Sequence, residues 1–192
     1  MLGIVLASSS PYRRALLDRL GIAYESASPD IDETPLDGET AEDLTLRLAV
    51  NKARALENRY PCHLIIGSDQ VALLDGTPVS KPGTHASAVA QLQRCSGQRI
   101  TFATALCLLN TASGALQTAV EPFHVNFRQL TDTQIEHYLH AEQPYDCAGS
   151  FKVEGLGISL FESLRGDDPN SLIGLPLIRL CQMLAKEGIE IP

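Results

Sequence analysis

Asp69 stands just past the apolar run Leu64-Ile65-Ile66-Gly67, one residue beyond Ser68. Open α/β sheets collect their ligands at the ends of such runs. A carboxylate there can take a proton from water or hold a divalent cation. The plainer alternative is an aspartate that accepts backbone N–H bonds at a strand end. Asp32 and Glu33 form a second acidic group in a polar segment, and adjacent carboxylates of this kind either bind Mg2+ or face solvent. Arg13, Lys52 and Lys81 supply positive charge. Arg13 falls in the first turn of an expected helix, where the positive helix end disfavours a cation. A phosphate bound at that end would reverse the penalty. Arg14 points elsewhere and reads as solvated. Lys52 lies among Leu48, Ala49 and Ala53, where its stem can snorkel or its ammonium can enter a cleft. Lys81 precedes Pro82-Gly83, a fixed turn able to aim it.

Other chemistries find no support. His137 and His140 are three apart on an expected helix, but Glu136 and Glu142 do not complete an HExxH pattern, so no metal is assigned to them. Neither a GxSxG elbow nor a GxxxxGK[ST] loop is present. Gly155-Leu156-Gly157 is too short for a dinucleotide fingerprint. The five cysteines, Cys62, Cys95, Cys107, Cys147 and Cys181, form no cluster at metal-ligand spacing. An odd count in a chain long enough to need no staples points to reduced thiols in the core.

These candidates need elements to hold them. Leu2 to Ala7 reads as a strand buried on both faces. Ser8-Ser9-Ser10 follows, and Ser10 is placed to cap a helix opening at Pro11 and stopped by Gly21. A helix start after a tight loop offers unpaired amides to an anion. Residues 27–39 read as a loop and 40–60 as a helix. The strand at Leu64–Gly67 runs into Ser68-Asp69-Gln70 and then Val71–Leu74, with a turn at Asp75-Gly76. A loop at 80–83 precedes a helix over 84–95. Residues 99–109 and 115–128 are expected to pair antiparallel across a turn at 110–114. Thr131 caps a helix over 132–141, residues 145–155 are irregular, and Leu156–Leu164 is a strand candidate. Asp167–Asn170 is a loop, and a C-terminal helix starts at Leu172. The pattern predicts an α/β fold with a mixed central sheet flanked by helices. The long hairpin is expected to form a lobe of its own, giving two lobes with a cleft between them within one domain over 1–192.

Lys and Arg number 15 against 23 Asp and Glu, a net charge of −8. Nucleic-acid backbones are bound by clustered Lys and Arg, so a polymer partner is disfavoured. A single phosphate ligand is not, because a few basic side chains can converge in an acidic protein. The opening MLGIVLASSS has no basic leader, and no stretch reaches the length of a membrane span. The expectation is a cytoplasmic protein without a membrane partner.

Taken together, several blocks resemble the Maf-like family. They are Ala7-Ser8-Ser9-Ser10-Pro11-Tyr12-Arg13-Arg14-Ala15-Leu16-Leu17, Asp32-Glu33-Thr34-Pro35, Asn51-Lys52-Ala53, Ile65-Ile66-Gly67-Ser68-Asp69-Gln70, Ser80-Lys81-Pro82, Ala148-Gly149-Ser150-Phe151 and Asn170-Ser171-Leu172-Ile173-Gly174-Leu175-Pro176-Leu177. They occur in family order and span nearly the whole chain. The resemblance implies a nucleoside triphosphate pyrophosphatase with the fold of the inosine triphosphate pyrophosphatase group. It implies a divalent cation, Mg2+ or Mn2+, a nucleotide substrate and a homodimer, although no heptad or apolar patch marks an interface. Carried onto this chain, Asp69 matches the proton acceptor, and with Glu33 the metal ligands. Ser8, Arg13, Lys52 and Lys81 match the phosphate-binding positions.

Three further positions are similar to the branch acting on 7-methyl-GTP. Gln70 follows Asp69 where pyrimidine-directed members carry Thr, Glu154 stands where they carry Gln, and Tyr12 where they usually carry Arg. A carboxylate can accept the paired N1–H and N2–H donors of guanine, which an amide cannot do with both ends. N7 methylation makes the base cationic, suiting Glu154 and a stacked Tyr12. Stacking is worth roughly 0.5–2 kcal/mol and a charge-assisted hydrogen bond about 1.5–3 kcal/mol. The alternatives are another canonical or modified nucleoside triphosphate, or a nucleotide-binding regulator of division or septum formation.

Overall fold

The computed structural model describes residues 2–191. Strand β1 (Gly3–Ala7) is buried from Ile4 onward, as the apolar run requires. Ser10 accepts from the Arg13 amide at 3.4 Å, and helix α1 (Pro11–Asp18) opens on its proline. Strand β2 (Glu25–Ala27) lies in a stretch too short and polar to be read as a strand, and it forms by parallel pairing with β1. Helix α2 (Ala41–Arg54) is capped by Thr40.

Strand β3 (His63–Leu74) is continuous. Asp69 therefore sits inside a twelve-residue strand rather than beyond the end of a short one. The turn at Asp75 and Gly76 has φ of 50° and 75°, the left-handed pair that suits a tight hairpin into β4 (Thr77–Val79). Helix α3 (His85–Cys95) precedes the long strands β5 (Arg99–Asn110) and β6 (Leu116–Phe127). Asn110 donates to Ala115 O and Phe127 to Gln98 O, each at 2.9 Å, so the two strands run antiparallel as expected. Helix α4 (Asp132–Glu142) carries a full capping box from Thr131 and Gln134.

The strand expected from Leu156 is half right. Residues Leu156–Leu160 form a 3₁₀ turn, and strand β7 covers only Phe161–Arg165. Gly155 and Gly157 weaken strand pairing, and Ser159 Oγ closes the turn on Leu156 O at 2.8 Å. The C-terminal helix is likewise two helices, α5 (Pro169–Ile173) and α6 (Leu177–Lys186). Gly174, at φ 121°, ends the first, and Pro176 cannot continue it.

The sheet order is β2-β1-β3-β5-β6-β7, with β4 on β3; β1 pairs parallel with β2 and β3, while β7 pairs antiparallel with β6. The chain divides into two units. The first comprises residues up to Gln70, Ala103–Glu121 and residues from Asp168, and the second Val71–Phe102 and Pro122–Asp167. The hairpin of β5 and β6 is not a lobe of its own, because its turn end belongs to the first unit and its open end to the second.

In the first unit the alternation of strand side chains separates two cores. Ile4, Leu6, Leu64, Ile66, Leu106 and Leu108 pack with Leu16 and Leu17 of α1 and Leu180 and Leu184 of α6. Val5, Ala7, Ile65, Ala105 and Leu109 pack instead with Ala49 and Ala53 of α2. The second unit has an aromatic core in which Phe151 meets Phe102, Phe127 and Phe161 edge-on, at centroid distances of 5.7, 5.6 and 4.9 Å. Cys95 and Cys107 are buried as expected, but Cys62 is exposed and Cys147 and Cys181 are half-buried. Among the described residues, no helix is long and apolar enough to cross a membrane.

Candidate active site

Strand β3 presents Ser68, Asp69 and Gln70 in succession, so the pleat sends Asp69 to one face and its two neighbours to the other. The Asp69 face meets α2. Lys52 lies in the last turn of that helix, where the negative helix end favours a cation. Its Nζ donates to Asp69 Oδ1 at 2.7 Å and lies 2.8 Å from Glu33 Oε1. The Lys52 and Asp69 side chains are 8% and 13% exposed, whereas Glu33 is 58% exposed, so the pair is sheltered and Glu33 joins it from the solvent side.

Gly67 makes this approach possible. A Cβ on Gly67 would lie 2.1 Å from the carbonyl oxygen of Ala49, three residues before Lys52. Helix α2 can therefore lie against β3 only where β3 has no side chain.

On the opposite face, Ser68 Oγ donates to Gly174 O at 2.9 Å. Gln70 Nε2 donates toward Thr104 Oγ1 at 2.8 Å, Ser171 O at 2.7 Å and Leu172 O at 3.1 Å. Arg13 Nε donates to the same Gly174 carbonyl at 2.8 Å. That carbonyl closes α5, so the guanidinium draws favourable charge from a helix end even though it starts α1. Asp168, only 3% exposed, orders the segment from below. Its Oδ1 accepts from the Asn170 amide at 2.9 Å and its Oδ2 from the Ile178 amide at 2.6 Å.

Electrostatics follow from burial. Burial pushes the Asp69 carboxyl above the ordinary aspartate value, Lys52 and then Arg13 oppose that rise, and Glu33 adds to it. Burial also lowers the Arg13 guanidinium, with Asp69 and Glu33 acting the other way.

Several expected residues behave differently from one another. The Asp32-Glu33 pair is split. Asp32 Oδ1 accepts from Thr34 N at 2.9 Å and Thr34 Oγ1 at 2.6 Å, while Glu33 turns to Lys52. Ser8 is buried, and its Oγ accepts from the Ser10 amide at 3.1 Å. The Ser8 amide itself donates to Leu6 O, so the amides of Ser8, Ser10 and Arg13 are all taken within the loop. Tyr12 is half-buried on α1. Lys81 and Glu154 belong to the second unit, each exposed on its loop.

Among the supporting residues Thr104 carries no signal of its own in the sequence, whereas Ser171 and Gly174 stand in the block 170–177 and Asp168 precedes Pro169 as a helix cap does. Gly67 carries a signal too, because an isolated glycine inside an apolar strand marks a close backbone approach.

A half-buried carboxylate bridged through a lysine to a second carboxylate, on a mixed α/β sheet, defines a candidate acid–base and cation site. The family model described as "Maf-like protein" matches residues 3–187, and the chain belongs to the Maf-like family. Over 189 residues it is 59% identical to the "7-methyl-GTP pyrophosphatase" of Pseudomonas aeruginosa, covering 98% of each chain. Two solved structures share its fold. A HAM1 protein from Coxiella burnetii superposes with TM-score 0.55 at 15% identity, over 97% of this chain and 100% of that one. The Staphylococcus aureus Ham1 protein gives 0.54 at 14% identity, with the same coverage.

Proposed function

We propose that this chain hydrolyses 7-methyl-GTP to 7-methyl-GMP and diphosphate, and so clears a modified nucleotide. The chemistry rests on one observation: Asp69, Lys52 and Glu33 are joined at 2.7 and 2.8 Å through a single ammonium. The substrate rests on the 59% identity to a 7-methyl-GTP pyrophosphatase over nearly the whole chain.

Water attacks the α-phosphorus, and diphosphate leaves. Asp69 accepts the proton of that water. Its raised pKa makes it a stronger base than a solvated aspartate, closer to a working pH. Lys52 fixes Asp69 through Oδ1, which leaves Oδ2 for the water. Arg13, Lys52 and Lys81 offset charge on the phosphate chain, and the Ser8 hydroxyl contributes a donor. Glu33 and Asp69 fit a divalent cation, since both offer hard carboxylate oxygens and both already converge on one positive charge. Mg2+ or Mn2+ held there supplies neutralisation of the phosphoryl oxygens. Glu154 accepts the guanine N1–H and N2–H donors, Tyr12 stacks on the cationic base, and Gln70 shapes the same specificity. A cytoplasmic location and a homodimeric state belong to this reading.

A panel of nucleoside triphosphates with pyrophosphate detection tests it. 7-methyl-GTP should give the highest kcat/KM, and Asp69→Asn should fold and bind nucleotide yet lose about 10²–10⁴-fold in kcat. Preference for an unmodified or pyrimidine nucleotide would remove the substrate, and near-normal turnover by Asp69→Asn would remove the base.

A further inference from the structure

The second unit carries a cluster that the proposed hydrolysis does not use. His85 is the first residue of α3, and Glu136 and His140 are one turn apart on α4, which packs against it. His85 Nε2 lies 2.8 Å from Glu136 Oε2, and His140 Nε2 lies 3.6 Å from the same oxygen. The two imidazoles face each other at a centroid distance of 5.0 Å and an angle of 31°. One ligand atom from each of the three residues falls within 4.8 Å of the others.

The sequence pairs His140 with His137, three residues before it. His137 is exposed, and the fold gives His140 a different partner, His85, fifty-five positions earlier on another helix. Only the docking of α3 on α4 brings the set together.

We propose that His85, Glu136 and His140 form a binding site for a borderline first-row divalent ion, with Zn2+ the best fit. Two imidazole nitrogens directed at one carboxylate oxygen need either a proton on each nitrogen or a single cation among the three. A tetrahedral ion with ligands at about 2.1 Å sets them about 3.4 Å apart. The two separations to Glu136 Oε2, 2.8 and 3.6 Å, lie on either side of that edge.

A further contact suits a metal ligand. Tyr145 Oη lies 2.9 Å from His85 Nδ1 and can donate onward to Leu139 O at 3.5 Å. In that arrangement the Tyr145 oxygen accepts from Nδ1–H, which leaves the Nε2 lone pair of His85 for the ion. Metal-bound histidines are commonly oriented through their other nitrogen in this way. His140 lies in the last turn of α4, where the helix end favours positive charge.

The donor set selects the ion. Two nitrogens and one oxygen suit Zn2+ and its neighbours, whereas Mg2+ prefers an all-oxygen octahedron. Three protein ligands leave a fourth position for water or an outside group. Bound there, the ion ties the start of α3 to the end of α4 and links the second unit's stability to metal supply.

Metal-free full-length protein, kept in excess Mg2+ so that oxygen sites are filled, tests this by titration with ZnCl2 and by the visible spectrum of added Co2+. Wild type should bind one Zn2+ equivalent more than His140→Ala, show a tetrahedral Co2+ spectrum that the variant lacks, and gain thermal stability with Zn2+. His140 is largely exposed, so its removal leaves packing intact; circular dichroism checks this. Glu136→Gln should lose the same equivalent, and Tyr145→Phe should weaken it about 10–100-fold. Equal stoichiometry and identical Co2+ spectra in wild type, His140→Ala and Glu136→Gln would overturn the proposal and leave a cluster that holds protons only.

Discussion

Lys52 holds Asp69 and Glu33 through one nitrogen, at 2.7 and 2.8 Å, so a single ammonium stands between two carboxylates from distant segments. That ammonium favours the charged form of Asp69 against the effect of burial. It also marks where positive charge belongs in the site.

Replacing Lys52 by Met should therefore move the pH dependence of turnover. Asp69 already titrates above its ordinary value because burial outweighs its cationic neighbours. Without Lys52 the anion loses its largest support and the pKa rises further. The acidic limb of kcat against pH should shift to higher pH. Ionising Asp69 will then cost the folded state more, so the variant's Tm should fall relative to wild type as pH rises through that pKa. A charge-assisted hydrogen bond of this kind contributes about 1.5–3 kcal/mol, readable by denaturant unfolding at neutral pH. An unmoved acidic limb would place the titrating group elsewhere.

Gly67→Ala tests the approach of α2 to β3. The added methyl would meet the Ala49 carbonyl at 2.1 Å, with backbone on both sides and no flexible side chain to yield. Overpacking should cost about 1–3 kcal/mol. Helix α2 must also shift, carrying Lys52 away from Asp69. A loss of kcat larger than the loss expected from partial unfolding alone is the result to look for in parallel unfolding and kinetic measurements.

Much of the scaffold is legible in the sequence. Ser10-Pro11 and Thr131 announce helix starts through local hydrogen bonds, and the unbroken apolar run from Leu2 to Ala7 announces a strand covered on both faces. The bridge from Lys52 to Asp69 was not legible, although both residues were singled out, because it depends on a helix–strand contact that no local pattern encodes. The same holds for His85 and His140, which only the packing of α3 on α4 joins. Asp168-Pro169 repeats the cap-and-proline pattern of Ser10-Pro11 and so marks the start of α5, but nothing local reveals that Asp168 is buried or that it also binds the first turn of α6.

The acidic loop should respond to pH through Glu39. Arg47 holds that carboxylate with two bonds, at 2.6 and 2.8 Å, and also donates to Thr34 O at 3.1 Å. These contacts, with the Leu36 amide, pull the Glu39 carboxyl from an ordinary 4.5 down to about 2. A depressed carboxylate contributes its stabilisation above the unfolded value and loses it as pH falls toward the folded one. Carboxyl NMR should find Glu39 still ionised near pH 3, and Arg47→Ala should return its midpoint toward 4.5.

The thiols should separate by reactivity. Burial pushes Cys95 and Cys107 up to about 12, so neither forms thiolate at pH 8, while Cys62 is exposed. Native protein treated with an alkylating agent should be modified early at Cys62 and at Cys95 and Cys107 only after denaturant. Mass spectrometry of the peptides reads this directly, and early labelling of Cys107 would contradict its place beneath α2.

Gln70 directs the two hydrogens of its amide at three oxygens, on Thr104, Ser171 and Leu172. A glutamate there would set acceptor against acceptor, and a threonine is two bonds shorter. The position that the resemblance ties to substrate choice is thus also the peg on which the turn into α5 hangs. Retuning the selectivity of this chain at residue 70 would unfasten residues 171–172 as well, so an altered preference has to be inherited as a linked pair of changes, never as one.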